Sequence, residues 1–282
     1  MYPFLLFLFS SFWSCNKKVA ESNALFFDSI PIIKPVVPII LETSGIADSK
    51  ANKGFLWVQE DSGNPSQLYL LGYDGKVAKK IYIKGATNRD WEDMALSGSY
   101  IYIADIGDNN AVYPDYTIYK FTEPKATADT VTEEEAIRFK YPDGSHDAEA
   151  FLVDPATKDI FIITKRDNPS RIYKLAYPYS TTSINMLQLS GTLPYSGVVS
   201  AAISAKGTEL IIKTYTNLYY YSRNTGSSIA EALTKSFTKL PYQVEPQGEA
   251  VTFANDDSGY FTLSEKGLFG TAVNLYYYKR NK

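Results

Sequence analysis

Five segments of this 282-residue chain repeat one pattern: an acidic or small residue, a small residue, an apolar residue, then a strand-like run. They are Ser44-Gly45-Ile46, Glu92-Asp93-Met94, Glu149-Ala150-Phe151, Ala201-Ala202-Ile203 and Glu249-Ala250-Val251, spaced by 48, 57, 52 and 48 residues. A unit of this length cannot bury its own apolar face, so neighbours must stack, and a period near 50 is in the range of propeller blades. After each motif comes a turn and a strongly apolar second strand, at residues 54–58, 100–104, 160–164, 209–213 and 259–263. A tyrosine-rich third strand follows, at 67–70, 116–119, 171–174, 218–221 and 274–278. A weaker fourth strand closes the first four units, as at 79–84, 136–141 and 184–189. In the fourth unit a helix-like insert near 228–234 precedes the last strand at 236–240.

The fifth unit stops after its third strand, and a blade left so would keep an open edge. Residues 25–41 offer the missing piece: they are apolar, β-branched and interrupted by Pro31, Pro35 and Pro38, which suits an edge strand. The expected fold is all-β, a five-bladed β-propeller closed by an N-terminal strand and forming one domain over 25–282. A six-bladed ring is the alternative, if 25–41 holds a degenerate blade.

Ahead of that domain, residues 4–13 form an apolar run ending at Ser14-Cys15. It is shorter than the roughly 20 residues a bilayer span needs, and it suits the core of a signal peptide. A small residue before the only Cys, followed by the polar Asn16-Lys17-Lys18, resembles a bacterial lipoprotein cleavage site. The expectation is a signal peptide at 1–14, lipidation of Cys15 and a tether over 15–24. That makes the chain exported and lipid-anchored in the bacterial cell envelope, at the outer membrane, and in contact with the membrane through the anchor only. An ordinary secretory signal is the alternative.

Composition narrows the chemistry. One Cys and one His exclude a disulfide framework, a Cys-rich zinc site and a multi-His metal centre. A net charge of −3 gives no basic field to recruit nucleic acid. The 23 Tyr fall largely in third strands, between blades, where packing explains them better than a sugar-binding platform does.

In a propeller, the starts of the first strands and the ends of the second strands meet at one channel mouth. The first strands bring Glu42, Ser44, Asp90, Glu92, Asp93, Asp147, Glu149 and Glu249 there. The second-strand ends bring Asp61, Asp105, Asp108, Asn109, Lys165, Arg166, Lys213 and Glu265. The mouth is acidic, with one basic sector at Lys165, Arg166 and Lys213. Converging carboxylates suit Ca2+, a hard cation that takes six to eight oxygens. The recurring Glu92, Glu149 and Glu249 have a second reading, as caps for unpaired backbone N–H groups at the inner blade edges. The non-repeating stretches Asp90-Trp91-Glu92-Asp93 and Asp105-Ile106-Gly107-Asp108-Asn109 are stronger site candidates, with Gly107 allowing a tight turn. His146 is the only imidazole available as a general base. No nucleophile elbow or Gly-rich phosphate loop occurs.

The stretches Glu42-Thr43-Ser44-Gly45-Ile46-Ala47, Asp61-Ser62-Gly63, Asp90-Trp91-Glu92-Asp93-Met94-Ala95, Asp105-Ile106-Gly107-Asp108-Asn109 and Gln247-Gly248-Glu249-Ala250 resemble an uncharacterised family of secreted bacterial propellers, distantly similar to phytase-like propellers. That resemblance implies Ca2+ as cofactor. It implies metal roles for Asp61, Asp90, Glu92, Asp105 and Asp108, with Asn109 beside them, and ligand or anion roles for Lys165, Arg166 and Lys213. Trp91, set among the acids, joins the ligand-binding set. The leading expectation is a monomeric envelope propeller whose mouth binds a small polar ligand, a cation or an envelope protein without catalysis. The alternatives are a Ca2+-dependent, phytase-like hydrolase of phosphate esters, and a scaffold that uses the opposite face.

Overall fold

A computed structural model of the chain describes residues 26–267 and 272–281. The expected signal peptide, Cys15 and the tether lie outside the described residues. Strands dominate the chain because its repeats are rich in Tyr, Ile, Val and Phe, which pack well on a pleated surface. The repeats fold into five sheets whose blade strands pair antiparallel, so the five-bladed propeller expected from the period is the architecture found. From the axis outward, the first blade runs Thr43–Asp48, Phe55–Glu60, Gln67–Gly72 and Val77–Ile83. The second runs Trp91–Ser97, Tyr100–Asp105, Tyr116–Thr122 and Glu135–Lys140. The third runs Ala148–Val153, Ile160–Thr164, Arg171–Leu175 and Gln188–Thr192. The fourth runs Val198–Ile203, Glu209–Thr214, Leu218–Ser222 and Thr238–Lys239, and its insert is a short helix, Ile229–Leu233, capped by the Ser228 hydroxyl. The fifth has Ala250–Phe253, Gly259–Leu263 and Asn274–Lys279.

The fifth blade's outer strand is Ile32–Pro35, which pairs antiparallel with Asn274–Lys279 and closes the ring as expected. Two details differ from the sequence reading. Residues 184–189 do not form one strand: Asn185–Met186 adds parallel to the outer edge of the second blade, and Gln188–Thr192 completes the third. Thr130–Val131 is likewise handed back to the first blade. Each short addition covers an outer edge that would otherwise stay open.

The core is not one mass but five apolar clusters, each between two neighbouring blades. This is why the inner strands Thr43–Asp48 and Ala148–Val153 are buried at every position, while the outer Val77–Ile83 largely alternates. An inner strand is covered on both faces and at the axis, whereas an outer strand has solvent along one side. The inner edges come very close. A Cβ on Gly45 would lie 2.7 Å from the Met94 nitrogen, so glycine is required for the first two blades to meet.

Candidate functional site

The channel mouth is built by a repeated irregularity. The pairing of four inner strands is broken by a β-bulge near its start, between Thr43 and Gly45, Trp91 and Asp93, Ala148 and Ala150, and Val198 and Ser200. A bulge leaves one residue unpaired and re-aims its side chain. Those residues are Ser44, Glu92, Glu149 and Val199, and Glu249, just before Ala250–Phe253, is their equivalent in the fifth blade. The fourth repeat is therefore framed on Val199-Ser200-Ala201 rather than Ala201-Ala202-Ile203. Matching by residue type slid that frame by two positions, because Val199 is apolar where its equivalents are acids or serine.

A second ring of five comes from the ends of the second strands: Asp61, Ile106, Lys165, Tyr215 and Glu265. Backbone bonds fix four of them alike. The N–H of Asp61 donates to the Glu42 carbonyl, Ile106 to Asp90, Lys165 to Asp147 and Glu265 to Gln247. Tyr215 was not singled out from the sequence, yet its place in this ring is readable from the register of the repeats.

Three carboxylates converge where the first two blades meet. One oxygen each from Asp61, Asp90 and Glu92 lies within 4.8 Å of the others. Asn88 holds the first loop against the second blade, donating from Nδ2 to the Asp61 carbonyl at 2.8 Å. Gly107 lies directly over the cluster; a Cβ there would overlap Glu92 Oε1 and sit 2.5 Å from Asp90 Cγ. Its φ is not left-handed, so it provides space rather than the tight turn expected. Burial pushes the Asp61 carboxyl up to about 7, with Asp90 adding to the rise and the Ser62 N–H opposing it. Burial, then the charge of Glu149, raises Glu92 well above the usual range. Burial and then Glu249 raise Glu265 to about 9. Glu149 is also raised, first by burial, and its Oε2 is buried without a hydrogen-bond partner.

The basic residues are committed. Lys165 Nζ bonds Glu149 Oε1, lies 3.1 Å from the Tyr215 hydroxyl and 3.9 Å from Glu249 Oε1. Arg166 Nε lies 2.6 Å from Asp147 Oδ2, and its Nη2 donates to Asn109 Oδ1. Lys213 is fully buried between the fourth and fifth blades, 3.5 Å from Glu245 Oε2 and 2.7 Å from the Tyr242 hydroxyl. Burial lowers its pKa against the pull of Glu245.

Inner-edge capping falls to Asp93, one residue beyond the glutamate expected to do it. Asp93 Oδ1 accepts from the Met94 N–H at 2.9 Å and the Ser200 hydroxyl at 3.2 Å. Its Oδ2 accepts from the Ala201 N–H at 3.1 Å and the Phe151 N–H at 3.4 Å. One buried carboxylate thus joins the second, third and fourth blades. Ser200 Oγ extends the link by accepting from the Val251 N–H of the fifth, at 3.3 Å. On the other side, Ser44 Oγ donates to the Glu92 carbonyl at 2.5 Å.

The remaining expected site residues stand apart from the cluster. Trp91 is fully buried in the core between the first two blades, with its indole N–H on the Thr87 carbonyl at 2.9 Å. Asp105 positions the cluster rather than joining it: its Oδ1 accepts from the Asp90 N–H at 2.7 Å. Burial, partly offset by that bond, raises it to about 6. Asp108 is a turn anchor, its Oδ2 accepting from the Tyr113 N–H and the Tyr116 hydroxyl, both at 2.8 Å. His146 sits between Asp167 at 2.9 Å and Asp143 at 3.2 Å, in a polar cleft beside Arg166.

No protein-family model matches the chain, and no curated protein matches it. Solved structures do match. A luciferin-regenerating enzyme aligns over 88% of this chain and 95% of its own, with TM-score 0.52 and 8% identity. An auxiliary nutrient binding protein from Bacteroides thetaiotaomicron aligns over 92% and 74%, with TM-score 0.49 and 7% identity. Hydrazine synthase from Kuenenia stuttgartiensis aligns over 83% and 70%, with TM-score 0.44 and 12% identity. Such neighbours are β-propeller-like and diverse in function, and similarity at this level concerns the fold alone.

Proposed function

We propose that this chain is a lipid-anchored cell-envelope propeller that binds a divalent hard cation, Ca2+ by its chemistry, at the channel mouth without catalysing a reaction. The observation that carries this reading is the convergence of Asp61, Asp90 and Glu92 within 4.8 Å, beside the unpartnered, buried Glu149 Oε2. Oxygens that each sit 2.3–2.6 Å from one Ca2+ are at most about 5 Å apart, so the donor set fits that ion. Asp61, Asp90 and Glu92 would hold the cation, with Glu149, which acts on Glu92, as a further carboxylate. The raised carboxyls of Asp61 and Glu92 fit as well: burial raises both first, and neighbouring carboxylates add to the rise.

The alternative, phosphate-ester hydrolysis, needs a free basic grip for the phosphate. Lys165, Arg166 and Lys213 each face a carboxylate instead. That pairing favours a cation over an anion as the ligand of this mouth. The test is calorimetric titration with Ca2+ at mildly alkaline pH, on the wild type and on Glu92→Gln and Gly107→Ala. Binding that weakens at least tenfold in both variants is expected. No binding by the wild type at millimolar Ca2+, or unchanged affinity in Glu92→Gln, would refute the site. The anchor is tested separately with Cys15→Ser, which should release the chain from the membrane fraction.

A further inference from the structure

The N-terminal strap that closes the ring is apolar on the side it shows to solvent. Its inward side chains Phe27, Val36 and Ile40 are 1% exposed and join two inter-blade clusters. Its exposed side chains are aliphatic too: Ile30 is 81% exposed, Val37 58% and Ile32 53%, with Ile39 and Ile33 close behind; Ile32 and Ile33 project to opposite sides of an edge strand that is exposed at all four positions. Among the described residues, seven of the seventeen large apolar side chains counted as exposed lie within 26–41. Single exposed apolar residues need no explanation, but a contiguous strip does. Beside Ile32, an apolar pocket of about 260 Å³ opens between Tyr73, Phe261 and Tyr277, with Lys34 at its rim.

Two observations say what covers this strip. Pro31, Pro35 and Pro38 have no N–H, so the strap cannot offer a continuous donor row to an added strand. A partner must read its side chains, and aliphatic groups around an exposed lysine beside aromatic rings match a bilayer interface. The second observation is chain length. Only ten residues separate Cys15 from Phe26, a reach of at most about 35 Å. A domain of this size is about 45 Å across. A lipid on Cys15 therefore keeps the side bearing the strap towards the membrane.

We infer that the outward face of this strap rests on the phospholipid surface, as a second membrane contact beyond the lipid, with the rim of the fifth blade turned to the bilayer. This inference rests on the lipid-anchor reading above. The contact orients the channel so that its mouth is not pressed against lipid by a freely swinging tether.

The single native Cys makes the test clean, because it is consumed by the lipid. Ile30→Cys and Ile39→Cys variants, purified from membranes, are labelled with an environment-sensitive fluorophore. They are then reconstituted into vesicles of phosphatidylethanolamine and phosphatidylglycerol carrying brominated acyl chains. Met186→Cys is the comparison, since Met186 is 51% exposed on the outer edge of the second blade, across the ring. Quenching at positions 30 and 39 at least threefold stronger than at 186 is expected. Equal quenching at all three sites, in protein that floats with the vesicles, overturns this inference and leaves the anchor standing. Protein that fails to float overturns the anchor and this inference together. Probes at 30 and 39 that are shielded equally with and without vesicles would show a second copy of the chain on the strip, which also overturns it.

Discussion

Replacing Asp93 with asparagine tests the axis of the ring directly. The carboxylate receives four donors, two on each oxygen, from Met94, Ser200, Phe151 and Ala201. An amide can turn its oxygen to one pair only and presents its NH2 to the other. Two buried donors then lose their acceptor, at about 1–3 kcal/mol each. The 3.4 Å Phe151 bond is long, so a total of about 3 kcal/mol is expected. In a domain of this size each kcal/mol moves the melting temperature by about 2–4 °C, so the drop should be about 6–12 °C. Scanning calorimetry measures it, with Glu149→Gln as the comparison. Glu149 Oε2 has no donor to lose, a glutamine oxygen can still accept from Lys165, and the charge given up in that pair is offset by relief of repulsion with Glu92 and Glu249. Its melting temperature should move by less than about 3 °C. If Asp93→Asn melts within about 2 °C of wild type, the capping account fails, and the buried group is then a carboxylic acid that an amide can imitate. If Glu149→Gln is as damaging as Asp93→Asn, edge capping belongs to the glutamate after all.

Three further outcomes are expected. The mouth carboxyls Asp61, Glu265, Glu92 and Glu149 are all pushed above the ordinary carboxyl range near 4 in the folded chain, so the folded state holds extra protons above that pH. Their contribution is complete below the unfolded value and is lost as pH rises through the folded ones. Melting temperature should therefore fall between about pH 5 and 9 in a chelator and fall less in Ca2+; a flat profile in chelator would contradict the crowded mouth. Lys165→Met removes the ammonium between Glu149 and Glu249, so Ca2+ affinity should rise on the order of tenfold while the cation-free protein melts lower. Titration calorimetry showing weaker binding would mean that Lys165 supports the ligand instead. Phe27→Ala empties a buried site packed edge-on against Tyr260 at 4.8 Å, at a cost of about 3–5 kcal/mol. Unchanged denaturant midpoint and unchanged proteolysis of the strap would show that the strap does not hold the ring.

The ring itself was legible because each blade must solve the same problem with the same parts. A tight approach at the axis selects Ser44-Gly45, Glu92-Asp93 and Glu149-Ala150, and a fully buried second strand selects runs such as Ile160–Thr164. The site was legible only in part. The convergence of Asp61, Asp90 and Glu92 could be read because acids on two neighbouring repeats face one channel mouth. Trp91 was misassigned because sequence adjacency to acids says nothing of direction: the bulge sends Glu92 to the mouth while Trp91 turns into the inter-blade core. Asp105 and Asp108 were spent locally, on the Asp90 N–H and on Tyr113 and Tyr116. Asp93 was missed for the opposite reason. Its donors lie 58 and 108 residues away on other blades, and no local pattern encodes them.

Closure of the ring by residues 32–35 also sets an order of events in folding. Pro35 and Asn274 are partners across about 240 residues, so the entropy of joining them is far larger than for any hairpin within a blade. Of the described strands, the one that leaves the ribosome first is the one that must wait longest for its mate. Until the last blade exists, the chain can hold paired sheets but no closed circle, and such non-local pairing is slow. The finished propeller cannot lock until Asn274–Lys279 has been made and offers Ile32–Pro35 its edge.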